Sequence, residues 1–293
     1  MLGPNSYGKS GIQLVRLDRR GGRHDVADLT VAVRFEGEFD AAHVSGDNSS
    51  VLPTDTMKNT VYALAKDRLV GEIEGFALAL SEHFLRENRE ASRVEISIEE
   101  RRWDRLDEAS FEGSRNERRT ARVSRSRDGA SVDSGLKDLL IMKTARSGFS
   151  GFKRDRFTTL KETSDRILAT SLTAAWTHAS ADGPFGSWEA VRRALLDAFA
   201  AHDSASRQQT LYAMGEAALA GHSGLSRIRL TMPNKHHLLA DLSPFGIMNE
   251  NEIFVATEEP YGLIEATVIR DGSESQSYEA GAGPQGLSPR QSY

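Results

Sequence analysis

The sequence has no cysteine among its 293 residues. That excludes disulfides, thiolate metal sites and a cysteine nucleophile, and it suits a reducing compartment. No apolar run approaches the roughly 20 residues that a membrane span needs, and the N-terminus lacks a signal-peptide pattern. A positive excess is missing too: 42 acidic and 37 basic residues leave a net charge of −5, which argues against a general affinity for nucleic acid. There is no glycine-rich phosphate loop, no GxSxG elbow and no HExxH. His236 and His237 are adjacent, so on a strand they point to opposite faces and make a poor metal pair. The final Gln-Ser-Tyr is not the peroxisomal Ser-Lys-Leu address, and cytoplasm is the expected location.

What is present is periodicity of two kinds. Ile12, Leu14, Val15 and Leu17 read as a strand from Lys9, and Leu29, Val31, Val33 and Phe35 alternate as a second, joined through the polar turn 19–25. In residues 51–66, VLPTDTMKNTVYALAK, Pro53 precedes Thr54 and Asp55, both preferred at helix starts, so a helix is expected to begin at one of them. Such a start exposes unpaired amides at the positive end of the macrodipole, which suits an anion; an ordinary helix cap is the plainer reading. Ile73, Phe76, Ala77, Leu80 and Phe84 define one face of the next helix. Strands follow at Val94 to Ile98 and across 120–127, where the arginines of a basic run suit a solvated strand face.

The second half repeats this order. Strands are expected at 136–145 and 166–176, then helices through Trp188, Val191, Leu195 and Phe199 and through Leu211, Met214, Ala218 and Leu219, then strands at 225–232 and 262–269. The chain therefore divides into halves at 1–135 and 136–270, with a disordered tail expected over 271–293. Helices on one face of each sheet leave the other face to be covered, which oligomerisation would do.

Five stretches stand out chemically: Lys9 after Tyr7-Gly8, the Thr54-Asp55 helix start, FSGFKRDRFTTLK at 149–161, SASRQ at 204–208, and PNKHH at the end of the strand at 225–232. Together with YGKSGIQLVR, TDTMKNTVYALAK, DRIL, SASRQQTLY and YGLIEATV they stand in the order found in urate oxidases, and the chain resembles that family from about Tyr7 to Ile269. The resemblance implies an α+β chain of tandem tunnelling-fold domains. Each is an antiparallel four-stranded sheet with two helices on its outer face, and subunits assemble into barrels around a tunnel as a homotetramer with sites at subunit interfaces. It implies oxidation of urate by dioxygen with no metal or organic cofactor, no nucleic acid and no membrane. By the same resemblance Lys9, Thr54 and His236 form a proton relay, and Asp55 offers a backbone N–H to the purine. Arg166 and Gln208 hold opposite edges of the ring, Phe149 stacks on it, and Asn234 with Thr54 holds water or dioxygen above it. Arg207 is expected to touch substrate through its backbone N–H, yet its long cation stands where an apolar residue is usual; Ser150 stands where an aromatic is common. Two other readings follow the same residues: a metal-dependent pterin or purine enzyme of this fold, against which the lack of a three-histidine cluster argues, and a purine-binding protein without turnover.

Overall fold

The computed structural model describes residues 1–20 and 22–272, leaving aside the side chains of Ser114 and Arg115. All but the first two positions of the tail expected at 271–293 lie outside the described residues. The chain runs β1 (Ser6–Asp18), β2 (Asp25–Gly37), a single turn α1 (Asp40–Val44), α2 (Thr54–Arg68), α3 (Ile73–Glu87), β3 (Ala91–Arg105), β4 (Phe111–Ser126) and β5 (Gly129–Lys143). It continues through β6 (Leu168–His178), α4 (Trp188–Ala201), α5 (Arg207–Gly221), β7 (Leu225–Leu239), β8 (Phe254–Thr257) and β9 (Leu263–Ile269).

Among the described residues, β1 to β8 are neighbours in sequence order within one antiparallel sheet, with β9 also paired to β7. The four-stranded antiparallel sheet expected in each half is present, and the two are joined edge to edge: β5 pairs with β4 through residues 129–137 and with β6 through 133–143. The buried side chains still fall into two clusters. One runs from Ile12 to Val132, under α2 and α3; the other runs from Leu136 to Val268, under α4 and α5. The helix faces predicted by the 3.6-residue period are buried as expected, including Phe76, Leu80 and Phe84 on α3 and Trp188, Leu195 and Phe199 on α4.

The strands are longer than their apolar alternation implied, because polar ends are held by backbone pairing and polar side-chain contacts: β3 and β4 pair out to Arg105 and Phe111, and Arg105 lies over the Phe111 ring and pairs with Asp25 at 2.6 Å. The basic run in β4 also differs from a solvated face. Arg119 is mostly buried and pairs with Glu72 and, at 2.6 Å, with Glu74 on α3; Arg125 donates to Ser81 Oγ on the same helix. Glu74 accepts from Ser134 Oγ at 2.5 Å, and that hydroxyl lies 2.8 Å from His178 Nε2, so a polar network spans α3, β5 and β6.

One irregularity occurs in both halves. Between Lys9 and Ile12 the pairing of β1 with β2 shifts, and two residues, Ser10 and Gly11, stand opposite Ala32. Gly11 has φ +69°, as such a bulge requires. Between Leu136 and Leu139 the pairing of β5 with β6 shifts in the same way, with Asp138 at φ +61°. The residue before each bulged stretch has a glycine ahead of it, Gly8 and Gly135, where any Cβ would collide with the carbonyl oxygen of Val33 or Ala174 on the neighbouring strand.

Candidate active site

Lys9 sits directly opposite Val33 across the β1–β2 ladder, and Val33 is fully buried, so Lys9 points to the helix-bearing face. Beside it, Tyr7 packs edge-on against Phe39 at 4.8 Å and accepts a hydrogen bond from the Leu52 amide at 2.9 Å. That bond ties the segment ahead of α2 to β1. Helix α2 begins at Thr54 as foreseen, but neither Thr54 nor Asp55 caps it. Pro53 is the cap residue, and no side chain satisfies the first amides. Thr54 is half-buried, and the exposed Asp55 accepts instead from Lys58 and Asn59 along the helix. The Asp55 carboxyl is held below its usual range by that bond from Lys58, then by the Lys58 charge, with a smaller contribution from Lys9. Among the described residues no hydrogen bond joins Lys9 to Thr54.

The second group gathers around β7. PNKHH is inside this strand and not at its end. β7 runs on to Leu239, pairing with β9 as far as Pro233 and with β8 from His236, so Asn234 and Lys235 sit where the partner changes. Asn234 and His236 share the face of Ile228, Leu230 and Met232, all buried. Asn234 Nδ2 lies 3.3 Å from His236 Nε2, and the Asn234 amide donates to Gly262 O at 2.7 Å. Across the ladder from Asn234 is Thr170 on β6, wholly buried. Sequence reading passed over Thr170; its signal is a threonine at a core-facing position between Leu168 and Leu172.

Two loops complete this group. Phe149 is bridged to Thr163, with backbone bonds of 2.8 and 3.0 Å, and the Ser147 amide donates to Asp165 at 3.0 Å. Arg166 was expected within a strand, but β6 begins only at Leu168, and Arg166 lies in the connection ahead of it, with its guanidinium 4.9 Å from the Phe149 ring centre. The Phe149 ring is also stacked on Phe152 at 5.0 Å, so part of its stacking surface is already taken by the chain's own groups. Ser204 is bridged to Ser147 and accepts from the Gly148 amide at 2.8 Å, which sets the start of α5 against the Phe149 loop. Ser206 caps α5 by accepting from the Gln209 amide, placing Arg207 as the first helical residue, buried at 7 % exposure, and leaving Gln208 exposed.

The electrostatics of this group are one-sided. Among the described residues neither Arg166 nor Arg207 makes an ion pair or a hydrogen bond, and the Nε atoms of both are buried without a partner, as are Thr170 Oγ1 and Asn234 Oδ1. Burial pushes the Arg166 side chain below its ordinary range. Arg207 is pushed down to about 10, by burial first and then by the charge of Arg166. His236 is lowered by burial and then by Arg207 and Arg166, which favours a neutral imidazole able to take a proton. Buried charge without a counterion is costly, and an anion placed here would remove much of that cost.

The two groups belong to opposite ends of the sheet. β1 and β7 are six strand steps apart, roughly 29 Å along a flat sheet at about 4.8 Å per step. No hydrogen bond, ion pair or ring contact among the described residues links Lys9, Thr54 or Asp55 to Phe149, Arg166, Arg207, Gln208, Asn234 or His236. Among the described residues there is no cluster of three or more His, Asp or Glu suited to a metal, and no helix long and apolar enough to cross a membrane.

Comparison with known proteins decides the family. The sequence profile described as Uricase matches residues 5–129 and 132–265. The chain belongs to the uricase family. It is 42 % identical over 278 residues to the uricase of Arthrobacter globiformis, covering 94 % of this chain and 92 % of that one, and 37 % identical to the uricase of Dictyostelium discoideum, covering 92 % and 97 %. The crystal structure of the Arthrobacter globiformis uricase superposes with a TM-score of 0.90 over 94 % of this chain and 96 % of that one. Urate oxidase from Bacillus sp. TB-90, 24 % identical, shares the fold at a TM-score of 0.80 over 91 % of this chain and all of the other. The uricase architecture is thus an α+β tunnelling fold, with its two halves joined edge to edge in one chain.

Proposed function

We propose that this chain oxidises urate with dioxygen and water to 5-hydroxyisourate and hydrogen peroxide, using no metal or organic cofactor. The observation that carries the reading is the pair of guanidinium groups, Arg207 buried and Arg166 half-buried, each with its Nε enclosed and neither with an acidic partner among the described residues, set beside an aromatic ring and a neutral histidine in a chain of the uricase family. Urate is a planar, electron-rich anion. Arg166 matches one edge with a planar fork, Gln208 the other with an amide, and Phe149 offers a ring face. Asp55 and Arg207 each offer a backbone N–H at a helix start.

Urate is its own reductant. Removing a further proton raises its electron density enough to pass two electrons to dioxygen, so the protein's work is proton transfer and placement. Thr54 passes that proton into a relay with Lys9 and neutral His236, one of which ends up holding it. Oxygen, held with Thr54 and Asn234 above the ring, adds at the purine carbon as a peroxide; hydrogen peroxide then leaves and water adds in its place. Urate, dioxygen and water thereby balance 5-hydroxyisourate and hydrogen peroxide.

Because Lys9, Thr54 and Asp55 stand far along the sheet from the other groups, a working site takes them from one subunit and the rest from its neighbour, in a homotetramer. The experiment is oxygen uptake with urate as sole reductant, in chelator, together with sedimentation. Equimolar urate loss and peroxide release by a tetramer supports the reading. Urate binding without oxygen uptake would make the chain a binder, and loss of turnover in chelator would remove the cofactor-free claim.

A further inference from the structure

Arg207 does more here than offer a backbone amide at a helix start. The residue is only 7 % exposed, and its Nε is enclosed with no acceptor. The backbone bridges from Ser204 to Ser147 and from Phe149 to Thr163 hold α5, the Phe149 ring and Arg166 in one wall. Two more unpartnered buried atoms, Thr170 Oγ1 and Asn234 Oδ1, are on the adjoining strands. The charged and titratable groups that act on or feel Arg207 are Arg166 ahead of β6 and His236 on β7. The acids closest to these arginines in sequence are engaged elsewhere, Asp203 with Arg146 at 3.4 Å and Asp165 with the Ser147 amide.

We propose that the Arg207 guanidinium faces the bound purine as a second cation beside Arg166 and makes the site select the doubly deprotonated form of the substrate. The inference rests on the urate reading above and adds to it a residue that sets which ionic form is held. A single bidentate arginine balances one negative charge. A second one beside it favours a second negative charge on the same ring, and so promotes the proton loss that must precede electron transfer.

The test is anaerobic, so that urate binds without turning over. The near-ultraviolet absorbance of bound urate is followed against pH in the assembled wild type, Arg207→Met, Arg207→Gln and Arg207→Lys, since that absorbance reports the purine's own ionisation. In the wild type, bound urate should lose its second proton at a lower pH than free urate. In Arg207→Met and Arg207→Gln that midpoint should move up by about one to two pH units. Urate affinity should fall roughly ten- to a hundredfold, and Arg207→Lys should restore part of both. A fully N-methylated neutral purine should bind all four proteins alike.

An unmoved midpoint in both neutral variants overturns the proposal, as does an equal loss of affinity for the neutral purine, which would make the role one of shape. If Arg207→Met fails to fold, the comparison of Gln with Lys decides by itself. Wild-type protein that binds no urate would sink the functional reading; wild-type binding with no difference among the variants sinks this inference alone.

Discussion

Replacing Arg207 by methionine should make the ligand-free protein more stable, which is the reverse of what substitution at a buried position usually does. The Arg207 side chain is pushed down to about 10. Measured from the ordinary arginine range at about 1.4 kcal/mol per pKa unit, holding its charge in the folded chain costs roughly 3 kcal/mol. The sign follows from where the proton is. At neutral pH the group is charged both folded and unfolded, so the whole cost is present, and it is relieved only as the pH rises through 10. Its place as the first residue of α5 adds to the cost, because a cation at the positive end of a helix is disfavoured by about 0.3–1 kcal/mol. Methionine keeps a long apolar stem and removes the charge. At about 2 °C for each kcal/mol in a chain of this length, calorimetry at fixed protein concentration should find the variant melting about 6 °C above the wild type. Saturating urate without oxygen should narrow or reverse that gap, since a ligand at a hundred times its Kd stabilises by about 2.7 kcal/mol and the wild type binds it better. A variant that melts at or below the wild type without ligand would refute the reasoning, and would mean that a carboxylate from elsewhere in the assembly already neutralises the pair.

Other expectations concern the opposite end of the sheet and the junction. Lys9→Met and Thr54→Ala should each lower kcat roughly a hundredfold or more, as loss of acid–base catalysis does, while anaerobic urate affinity changes little; wild-type turnover in either would remove it from the relay. Gly8→Ala should cost about 2 kcal/mol or more in urea unfolding, because a Cβ collides with the Val33 carbonyl, and an unchanged midpoint would show that β1 can move aside. Glu74→Ala leaves the buried Arg119 without its inner partner and should destabilise by about 3–5 kcal/mol; a loss below about 1 kcal/mol, on the scale of an exposed pair, would show that Glu72 alone suffices. Since burial and both arginines lower His236, the acid limb of kcat/KM should lie below the ordinary histidine range, and a limb at or above it would mean that His236 is not the group that titrates.

The parts of the fold that depend on local repetition were readable from the residues. Helix faces such as Ile73 to Phe84 and the alternation of Val31, Val33 and Phe35 follow from which side chains avoid water, and the structure buries them. Termini were harder. Pro53 takes the cap position that Thr54 and Asp55 would fill by preference alone, and β6 starts after Arg166 because the neighbouring Asp165 is used to hold the Ser147 amide. The edge-to-edge fusion through β5 was hidden, since its alternation is the same whether one neighbour pairs with it or two. The network of Glu74, Arg119, Ser134 and His178 joins residues far apart in sequence, and no spacing announces it. Of the candidate residues, Lys9 and Thr54 had a local signal in Gly8 and Pro53. That neither Arg166 nor Arg207 pairs with an acid among the described residues is a property of the folded surroundings and could not be seen in the chain alone.

The matching bulges in β1 and β5 make the position of the lysine a question of parity. Side chains alternate along a strand, so residues three apart, such as Lys9 and Ile12, belong on opposite sides unless one extra residue is inserted between them. Deleting Ser10 or Gly11 would remove the bulge and leave Lys9 and Ile12 two apart, still on one side of a regular strand. In β5 the same insertion serves only packing, bringing Leu136 and Leu139 into the core together. Each half therefore holds the same backbone seat, occupied by an amine in one and by a hydrocarbon in the other.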